Sequence, residues 1–139
     1  MAEEPAISAV QKVVFDTDVL IWYLRGNEKA RRFLARVLYP QRALSSLTVM
    51  ELLQGCRNQG EARQVKAFIA DNIPAVLHPA ESVSLKAIDL LEQHAFSHGL
   101  RVVDALIAAT ALEAGFSLAT ANVKHYRVIA RLHLIPFKP

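Results

Sequence analysis

Three acidic residues interrupt segments of the sequence that are otherwise apolar. Asp16 directly follows the apolar run 13–15, Asp104 stands inside the apolar stretch 102–109, and Glu51 has apolar residues on both sides. A carboxylate moved into apolar surroundings needs a proton, a cation or hydrogen bonds to compensate its charge. If these acids meet at one edge of a sheet, two carboxylates about 4 Å apart repel by ~4 kcal/mol at an effective dielectric of 20. A proton or a cation must then neutralise them.

The residue types available favour a hard cation. The chain has one cysteine, Cys56, and its five histidines show no metal-ligand spacing, so an all-oxygen site suits Mg²⁺ or Mn²⁺ better than zinc. Such a cation keeps several waters and accepts phosphate oxygens, which suits phosphoryl transfer or phosphodiester hydrolysis. The net charge of +3 adds a mild bias toward polyanionic partners.

Each acid also has a purely structural interpretation. Asp16 is able to cap the helix that follows it, a role worth about 1 kcal/mol. Asp104 is able to stabilise a helix N-terminus by about 0.3 to 1 kcal/mol. Thr48 and Glu51 match a capping box, in which the glutamate returns to its own N-cap. From the residues alone, both interpretations stay open for all three acids.

Predicted strands and helices alternate along the chain. This alternation favours parallel strands joined by right-handed crossovers, and therefore an α/β fold: a three-layer α/β/α sandwich with a central, mostly parallel sheet. Open α/β sheets bind ligands beyond the carboxyl ends of their strands, which is where Asp16 is expected. The predicted strands are 13–15, 43–45, 75–77, 117–120 and 132–135; the predicted helices are 19–24, capped by Thr17 or Asp18, 27–38, one starting at 48, 61–72, 82–96, 105–112 and a short one within 122–129.

The helix predicted over 82–96 has the clearest apolar stripe. Leu85, Ile88, Leu91 and Ala95 recur at helical spacing, so this stripe is predicted to face the core. The helix over 105–112 is apolar nearly all round and is predicted to be buried.

Length and composition limit the possible architectures. At 139 residues with 53% hydrophobic residues, the chain fits one folded domain, expected over residues 12–139 behind a loose leader, residues 1–11. The longest strictly apolar run, 19–24, is far too short for a membrane helix. Glu3 and Glu4 stand where a secretory signal carries basic residues, so the expected compartment is the cytoplasm.

Four segments, in order, resemble the PIN-domain family and most closely its VapC-type toxins. The resemblance spans nearly the whole chain and implies a compact α/β/α nuclease fold. It further implies Mg²⁺- or Mn²⁺-dependent cleavage of RNA by a metal-activated water, homodimerisation or a toxin–antitoxin hetero-oligomer, and inhibition by a small cognate antitoxin whose tail covers the active site. The segments are VFDTDVL at 14–20, TVMELLQG at 48–55, VDALIAATA at 103–111 and LATANVKHY at 118–126.

The resemblance also assigns roles position by position. Asp16, Glu51 and Asp104 match the family's three acids and are the expected metal ligands. Asn122 completes the expected catalytic set, at a position where many members carry a fourth acid. Because an amide brings no charge, one well-occupied metal site is predicted.

Three neighbouring polar residues have less certain roles. Thr120 is expected to be a local turn group. Thr17 either orients a carboxylate or caps locally. Asp18 is either a supporting carboxylate or a first-turn helix charge.

Two other functions are compatible with parts of the sequence. Residues 15–18 also approach the Asp-x-Asp motif of haloacid-dehalogenase phosphatases, in which Asp16 would be the nucleophile. Against this, Leu20 stands where that family carries Thr or Val, and no adjacent acidic pair follows Asp18. The second alternative is a non-catalytic PIN-like module that binds RNA or a partner, suggested by Asn122 but opposed by the three retained acids.

Overall fold

The computed structural model describes residue 7 and residues 11–139, and its centre is a five-stranded parallel sheet. The strand order is β3-β2-β1-β4-β5, so the first strand along the chain is central. The expected leader, residues 1–11, lies outside the described residues apart from Ile7 and Gln11. The strands are β1 Val13–Phe15, β2 Arg42–Ser45, β3 Ala75–Leu77, β4 Ser117–Thr120 and β5 Leu134–Pro136.

Seven helices of the described residues cover the two faces of this sheet. They are α1 Thr17–Leu24, α2 Glu28–Ala35, α3 Ser46–Gln54, α4 Gln59–Asn72, α5 Glu81–His98, α6 Val102–Ala114 and α7 Val123–Tyr126. Within this part of the chain, no helix has both the length and the apolar character needed to cross a membrane.

Side chains alternate between two cores, one on each face of the sheet. Val13 and Phe15 pack with α1, α2 and α4, whereas Val14 packs with α5 and α6. This follows from the two-residue period of a strand, which sends successive side chains to opposite faces. The predicted three-layer α/β/α sandwich is therefore confirmed.

The start of α1 differs from the prediction. The helix begins at Thr17 rather than 19, because β1 ends at Phe15 and no loop intervenes; Asp16 is its N-cap, as the structural interpretation of that residue allowed. The predicted cap of α2 is confirmed: the Asn27 Oδ1 accepts a hydrogen bond from the Ala30 N–H at 2.9 Å. The helix ends at Ala35 rather than 38.

The predicted capping box at Thr48 and Glu51 is wrong. β2 passes directly into α3, and the N-cap is Ser45, whose Oγ accepts a hydrogen bond from the Leu47 N–H at 3.1 Å. Thr48 therefore lies inside the first turn of α3 and is buried. The Glu51 carboxylate makes no return to this helix start and is available for other contacts.

The predicted apolar stripe of α5 is wrong at Leu85 and Ile88, whereas Leu91 packs partly buried against the core. Leu85 and Ile88 are 58% and 51% exposed, and the buried stripe is Val83, Ala87 and Leu90. These three pack in the same core as the alanine-rich helix α6. A helix with small side chains approaches closely, and the stripe with Ala87 at its centre accommodates that approach. Gly99 ends α5 as predicted, in the left-handed conformation with φ +68°.

A pair of leucine substitutions tests this assignment of the α5 faces. Leu90→Ala removes a side chain that is 2% exposed and should lower the free energy of unfolding by about 2 to 5 kcal/mol. Leu85→Ala should change it by about 0.5 kcal/mol or less. Urea unfolding measures the free energy of unfolding of both variants, at protein concentrations where the unfolding midpoint does not change with concentration. A similar decrease for the two variants would contradict the assignment.

Candidate active site

The candidate site lies at the carboxyl ends of the two central strands. Asp16 directly follows β1, and Thr120 ends the neighbouring strand β4. The two strands pair with Phe15 opposite Ala119, and the Asp16 N–H donates to the Ala119 carbonyl at 2.8 Å. Strands β2 and β3 are added on one side of β1, and the chain then crosses over so that β4 and β5 lie on the other side. Such a switch point is where open α/β sheets form their ligand crevice.

Hydrogen bonds hold both oxygens of Asp16. The Thr17 N–H donates to Oδ1 at 2.9 Å, and the Thr120 hydroxyl donates to Oδ2 at 2.8 Å. Asp16 itself is only 6% exposed. Asp16 is able to act as a helix cap and as a ligand at the same time. Its Oδ1 caps α1, and each of its two oxygens retains a lone pair for a ligand.

Burial makes Asp16 unusually hard to ionise. Desolvation, followed by the charge of Asp18, raises its pKa from 3.8 to about 7. The hydrogen bonds from Thr120 and Thr17 oppose this rise, and the charge of Asp104 adds to it. Among the described residues, no Lys or Arg forms an ion pair with any of these three acids. The nearest basic group to the cluster is therefore a histidine, His125, whose Nδ1 lies 3.5 Å from Asp104 Oδ2.

Asp18 belongs to the same cluster. Its carboxylate oxygens accept from the Ala121 N–H at 3.2 and 3.3 Å, which ties α1 to the turn after β4. Burial raises the pKa of Asp18, and the charge of Asp104 adds to the rise. Asp18 is therefore a supporting carboxylate of the site and more than a first-turn helix charge.

Glu51 reaches the site through Thr17. The Thr17 hydroxyl donates to Glu51 Oε1 at 2.6 Å and lies 3.0 Å from the hydroxyl oxygen of Thr48. Because a hydroxyl has a single proton, Thr48 is the donor in that second contact. The open question about Thr17 is answered: it orients a carboxylate and links α1 to α3.

Asp104 lies in the first turn of α6, which begins at Val102. Its Oδ1 accepts from the Tyr126 hydroxyl at 3.3 Å, and its Oδ2 lies 3.5 Å from His125 Nδ1. The side chain is 26% exposed, so it borders solvent while its charge still acts on Asp16 and Asp18.

Asn122 lies just before α7, in the turn that follows Thr120. Its N–H donates to the Thr120 hydroxyl oxygen at 2.9 Å, and its carbonyl accepts from the His125 N–H at 3.2 Å. The residue is exposed, and its side chain does not cap α7. Thr120 is thus the expected local turn group, and its hydroxyl also orients Asp16.

The donor set fits a hard divalent cation in its chemistry. Carboxylate oxygens and one amide are what Mg²⁺ and Mn²⁺ prefer, and the uncompensated charge around buried Asp16 calls for a cation. Within the described part of the chain, no three His, Cys, Asp or Glu side chains are already gathered around one point as metal ligands. The charges of Asp16, Asp18 and Asp104 act on one another, and Thr17, which donates to both Asp16 and Glu51, links Glu51 to this group.

The sequence reasoning assigned no role to Tyr126. This residue lies in the fourth family-like segment, but its hydroxyl meets Asp104 only because α7 packs beside α6 in the folded chain. Its place at the end of that segment is the local signal that was available.

Comparisons with known proteins agree with this arrangement. The PIN domain family model matches residues 13–130. Ribonuclease VapC10 of Mycobacterium tuberculosis is 36% identical over 123 residues, covering 86% of this chain and 90% of the relative. Ribonuclease VapC19 of the same organism is 32% identical over 116 residues, covering 81% and 90%.

Solved structures share the fold at lower identity. A toxin–antitoxin complex from Klebsiella pneumoniae superposes with a TM-score of 0.76 at 22% identity, covering 89% of this chain and 96% of that one. VapBC2 from Rickettsia felis, bound to a DNA fragment from its promoter, gives 0.76 at 18% identity, covering 92% and 100%. With a family model that spans most of its length and curated relatives above 30% identity, the chain belongs to the PIN-domain family.

Proposed function

We propose that this chain is the toxin of a type II toxin–antitoxin system, a cytoplasmic ribonuclease that needs Mg²⁺ or Mn²⁺ to hydrolyse RNA phosphodiester bonds. The observation that carries the proposal is the acid cluster around Asp16, in which burial and neighbouring acids raise the pKa of Asp16 and no Lys or Arg among the described residues pairs with it. Strongly perturbed groups of this kind concentrate at functional sites. The ribonuclease names of the relatives supply the reaction class.

In the proposed site, the acidic side chains would bind the cation, and the threonines orient these acids. A divalent cation held by Asp16, Asp104 and Glu51 would stabilise the negative charge of the scissile phosphate and lower the pKa of the attacking water. Thr120 and the Thr17 N–H fix the orientation of Asp16, and the Thr17 hydroxyl fixes Glu51. Mg²⁺ usually needs only one or two direct carboxylate ligands, so the cluster need not close into a complete cage.

Asn122 gives this site less negative charge than a fourth acid would. Its exposed amide lies beside the Thr120 hydroxyl and offers a carbonyl acceptor and two N–H donors to a water or a phosphate. We therefore propose that Asn122 takes part in catalysis through hydrogen bonds and contributes no charge. We also propose one well-occupied cation site.

A groove beside the acids suits an inhibitory antitoxin. It has a volume of about 570 Å³ and lies between α1, α3 and α4, with Ile21 and Leu24 in its wall and Glu51 at the site. Both apolar side chains are more than one third exposed. An antitoxin segment with apolar side chains would bury them and reach the acid cluster at the same time. The structural relatives described as toxin–antitoxin complexes support this type of partner.

The opposite layer offers a surface for a second copy of the chain. Leu85, Ile88 and Phe96 occur at i, i+3 and i+11 on α5, which places them on one side of the helix, and Val102 follows at the start of α6. Phe96 is fully exposed and Val102 is 61% exposed. Exposed apolar side chains grouped on one side of a helix are suited to an interaction site. We propose homodimerisation through this face.

The two alternative functions are not favoured. A haloacid-dehalogenase-like phosphatase would use Asp16 as a nucleophile, whereas the matched family model is the PIN domain. A non-catalytic binding module would have no need of the charge repulsion that Asp16, Asp18 and Asp104 impose on one another.

RNA cleavage is the direct test of the proposed activity. The purified chain, freed of antitoxin, should cut structured RNAs in Mg²⁺ or Mn²⁺ and not in EDTA. Asp16→Asn and Asp104→Asn should each lose about 100-fold or more, because each removes charge from a site worth several kcal/mol to the transition state. Asp71→Asn, which changes an exposed acid on α4, is the matched control. Cleavage that persists in EDTA, or phosphate release from small phosphomonoesters without RNA cleavage, would contradict the proposal.

The pKa of Asp16 predicts how stability depends on pH. Because its pKa is raised in the folded state, folding binds the proton, and the stability from Asp16 is complete below pH ~4 and declines as pH rises toward 7. Without divalent cations, Asp16→Asn should therefore gain stability relative to the unmodified chain between pH 5 and 8, by up to about 4 kcal/mol. An Asn still accepts the hydrogen bond from the Thr17 N–H, so the cap is kept.

Thermal or urea unfolding at pH 5 and pH 8 measures this difference. Adding Mn²⁺ at pH 8 should stabilise the unmodified chain and leave Asp16→Asn nearly unchanged. A difference between the two proteins that is the same at both pH values would refute the assignment of the buried charge to Asp16.

The proposed dimer face is tested by solution mass. Ile88→Asp places a charge in the apolar face of α5 and should convert a dimer into a monomer of 15.4 kDa, measured by light scattering after gel filtration. Met50→Asp changes a side chain with similar exposure on α3 and should keep the dimer. Equal masses for both variants and the unmodified chain would exclude this face as the interface.

A further inference from the structure

Tyr126 is buried between the sheet and the helices of one layer, with its only polar side-chain atom directed at the acid cluster. The residue is 1% exposed and belongs to the core formed with α5 and α6. Its hydroxyl donates to Asp104 Oδ1 at 3.3 Å. We propose that Tyr126 is a positioning residue, which holds the carboxylate of Asp104 in the orientation that binds the divalent cation. This inference rests on the proposed function of the acid cluster.

Asp104 depends on this contact more than the other acids depend on theirs. Asp16 accepts two hydrogen bonds from Thr17 and Thr120, whereas Tyr126 is the only hydrogen-bond donor to Asp104 among the described residues. His125 Nδ1, at 3.5 Å from the other oxygen, is buried but makes no hydrogen bond within that part of the chain. A carboxylate that is 26% exposed and loses its one donor is free to rotate toward solvent.

A phenol is suited to orienting a carboxylate without neutralising it. A phenol is uncharged near neutral pH, so the Tyr126 hydroxyl keeps its proton and remains a donor, and it interacts with Asp16 as well as with Asp104. A Lys or Arg at the same place would orient Asp104 but would also cancel the charge that attracts a cation. Tyr126 thus orients the Asp104 carboxylate without cancelling its negative charge.

The short helix α7 connects Tyr126 to the rest of the site. Just before it, the Asn122 N–H donates to the Thr120 hydroxyl oxygen, and that hydroxyl donates to Asp16. The same turn therefore contacts Asp16 at its start and Asp104 at its end. This arrangement couples the positions of two acids on different elements, Asp16 at the N-cap of α1 and Asp104 in α6.

The test compares Mn²⁺ affinity, measured by calorimetry on the full chain, with RNA cleavage. Hydrogen-bonding partners of metal ligands typically contribute 10- to 100-fold to affinity, so Tyr126→Phe should bind Mn²⁺ about 10-fold more weakly. Cleavage should fall at limiting Mn²⁺ and recover at saturating Mn²⁺, because the phenyl ring still fills the core. Tyr39→Phe, a substitution at a half-exposed tyrosine outside the site, should match the unmodified chain.

Asp104→Asn separates this inference from the function on which it rests. If Asp104→Asn and the unmodified chain bind Mn²⁺ equally, the proposed metal role of Asp104 fails and the inference fails with it. If Asp104→Asn weakens binding while Tyr126→Phe does not, only the role of Tyr126 is refuted.

A double variant excludes a general effect on folding. In an Asp104→Asn background, Tyr126→Phe should cause no further loss of Mn²⁺ affinity, because the group that it positions is already changed. A further loss as large as that seen in the unmodified chain would mean that Tyr126 acts independently of Asp104, and would overturn the proposal.

Discussion

The hydrogen bond from the Thr120 hydroxyl to Asp16 joins the two central strands at the edge where the acids meet. It exists because β4 lies beside β1, although 104 residues separate the two partners along the chain. Around it, a backbone N–H and three threonine hydroxyls hold the site, and no basic side chain among the described residues pairs with Asp16 or Asp18. Neutral donors orient carboxylates without discharging them, so the site keeps the negative charge that a cation requires.

This arrangement opposes stability. A buried carboxylate whose pKa is raised by desolvation and by neighbouring acids makes the folded state less favourable at neutral pH. The two cores on either side of the sheet supply the compensating free energy, since β1 contributes fully buried side chains to both of them. Asp16, the buried acid with the raised pKa, therefore comes directly after a fully buried strand, β1.

The two proposed interaction surfaces belong to different layers of the sandwich. The groove beside Glu51 lies among α1, α3 and α4, whereas the exposed apolar side of α5 lies in the layer across the sheet. An antitoxin segment in the groove and a second copy on α5 would therefore not compete for the same residues. Glu51 is among the residues that line the groove, so an antitoxin segment bound there would cover one of the acids.

Local signals in the sequence were sufficient for the element order and for the position of Asp16 at the end of a buried strand. The run 13–15 is a strand, Asn27 caps α2, Gly99 ends α5, and Asp16 follows a buried strand, all as predicted. These features depend on side-chain type, backbone preference and residues a few positions away. The capping box at Thr48 and Glu51 was wrong because Ser45, at the end of β2, began the helix earlier.

Tertiary packing decided what the local signals left open. The stripe of α5 that became buried was Val83, Ala87 and Leu90, because the alanine-rich surface of α6 admits close contact there. The contacts from Thr120 to Asp16 and from Tyr126 to Asp104 likewise depend on which strands and helices become neighbours. The sequence by itself determined which groups were able to do chemistry and which elements carry them. Only the folded chain decided which of those groups meet, because such contacts depend on the packing of segments that are distant in the chain.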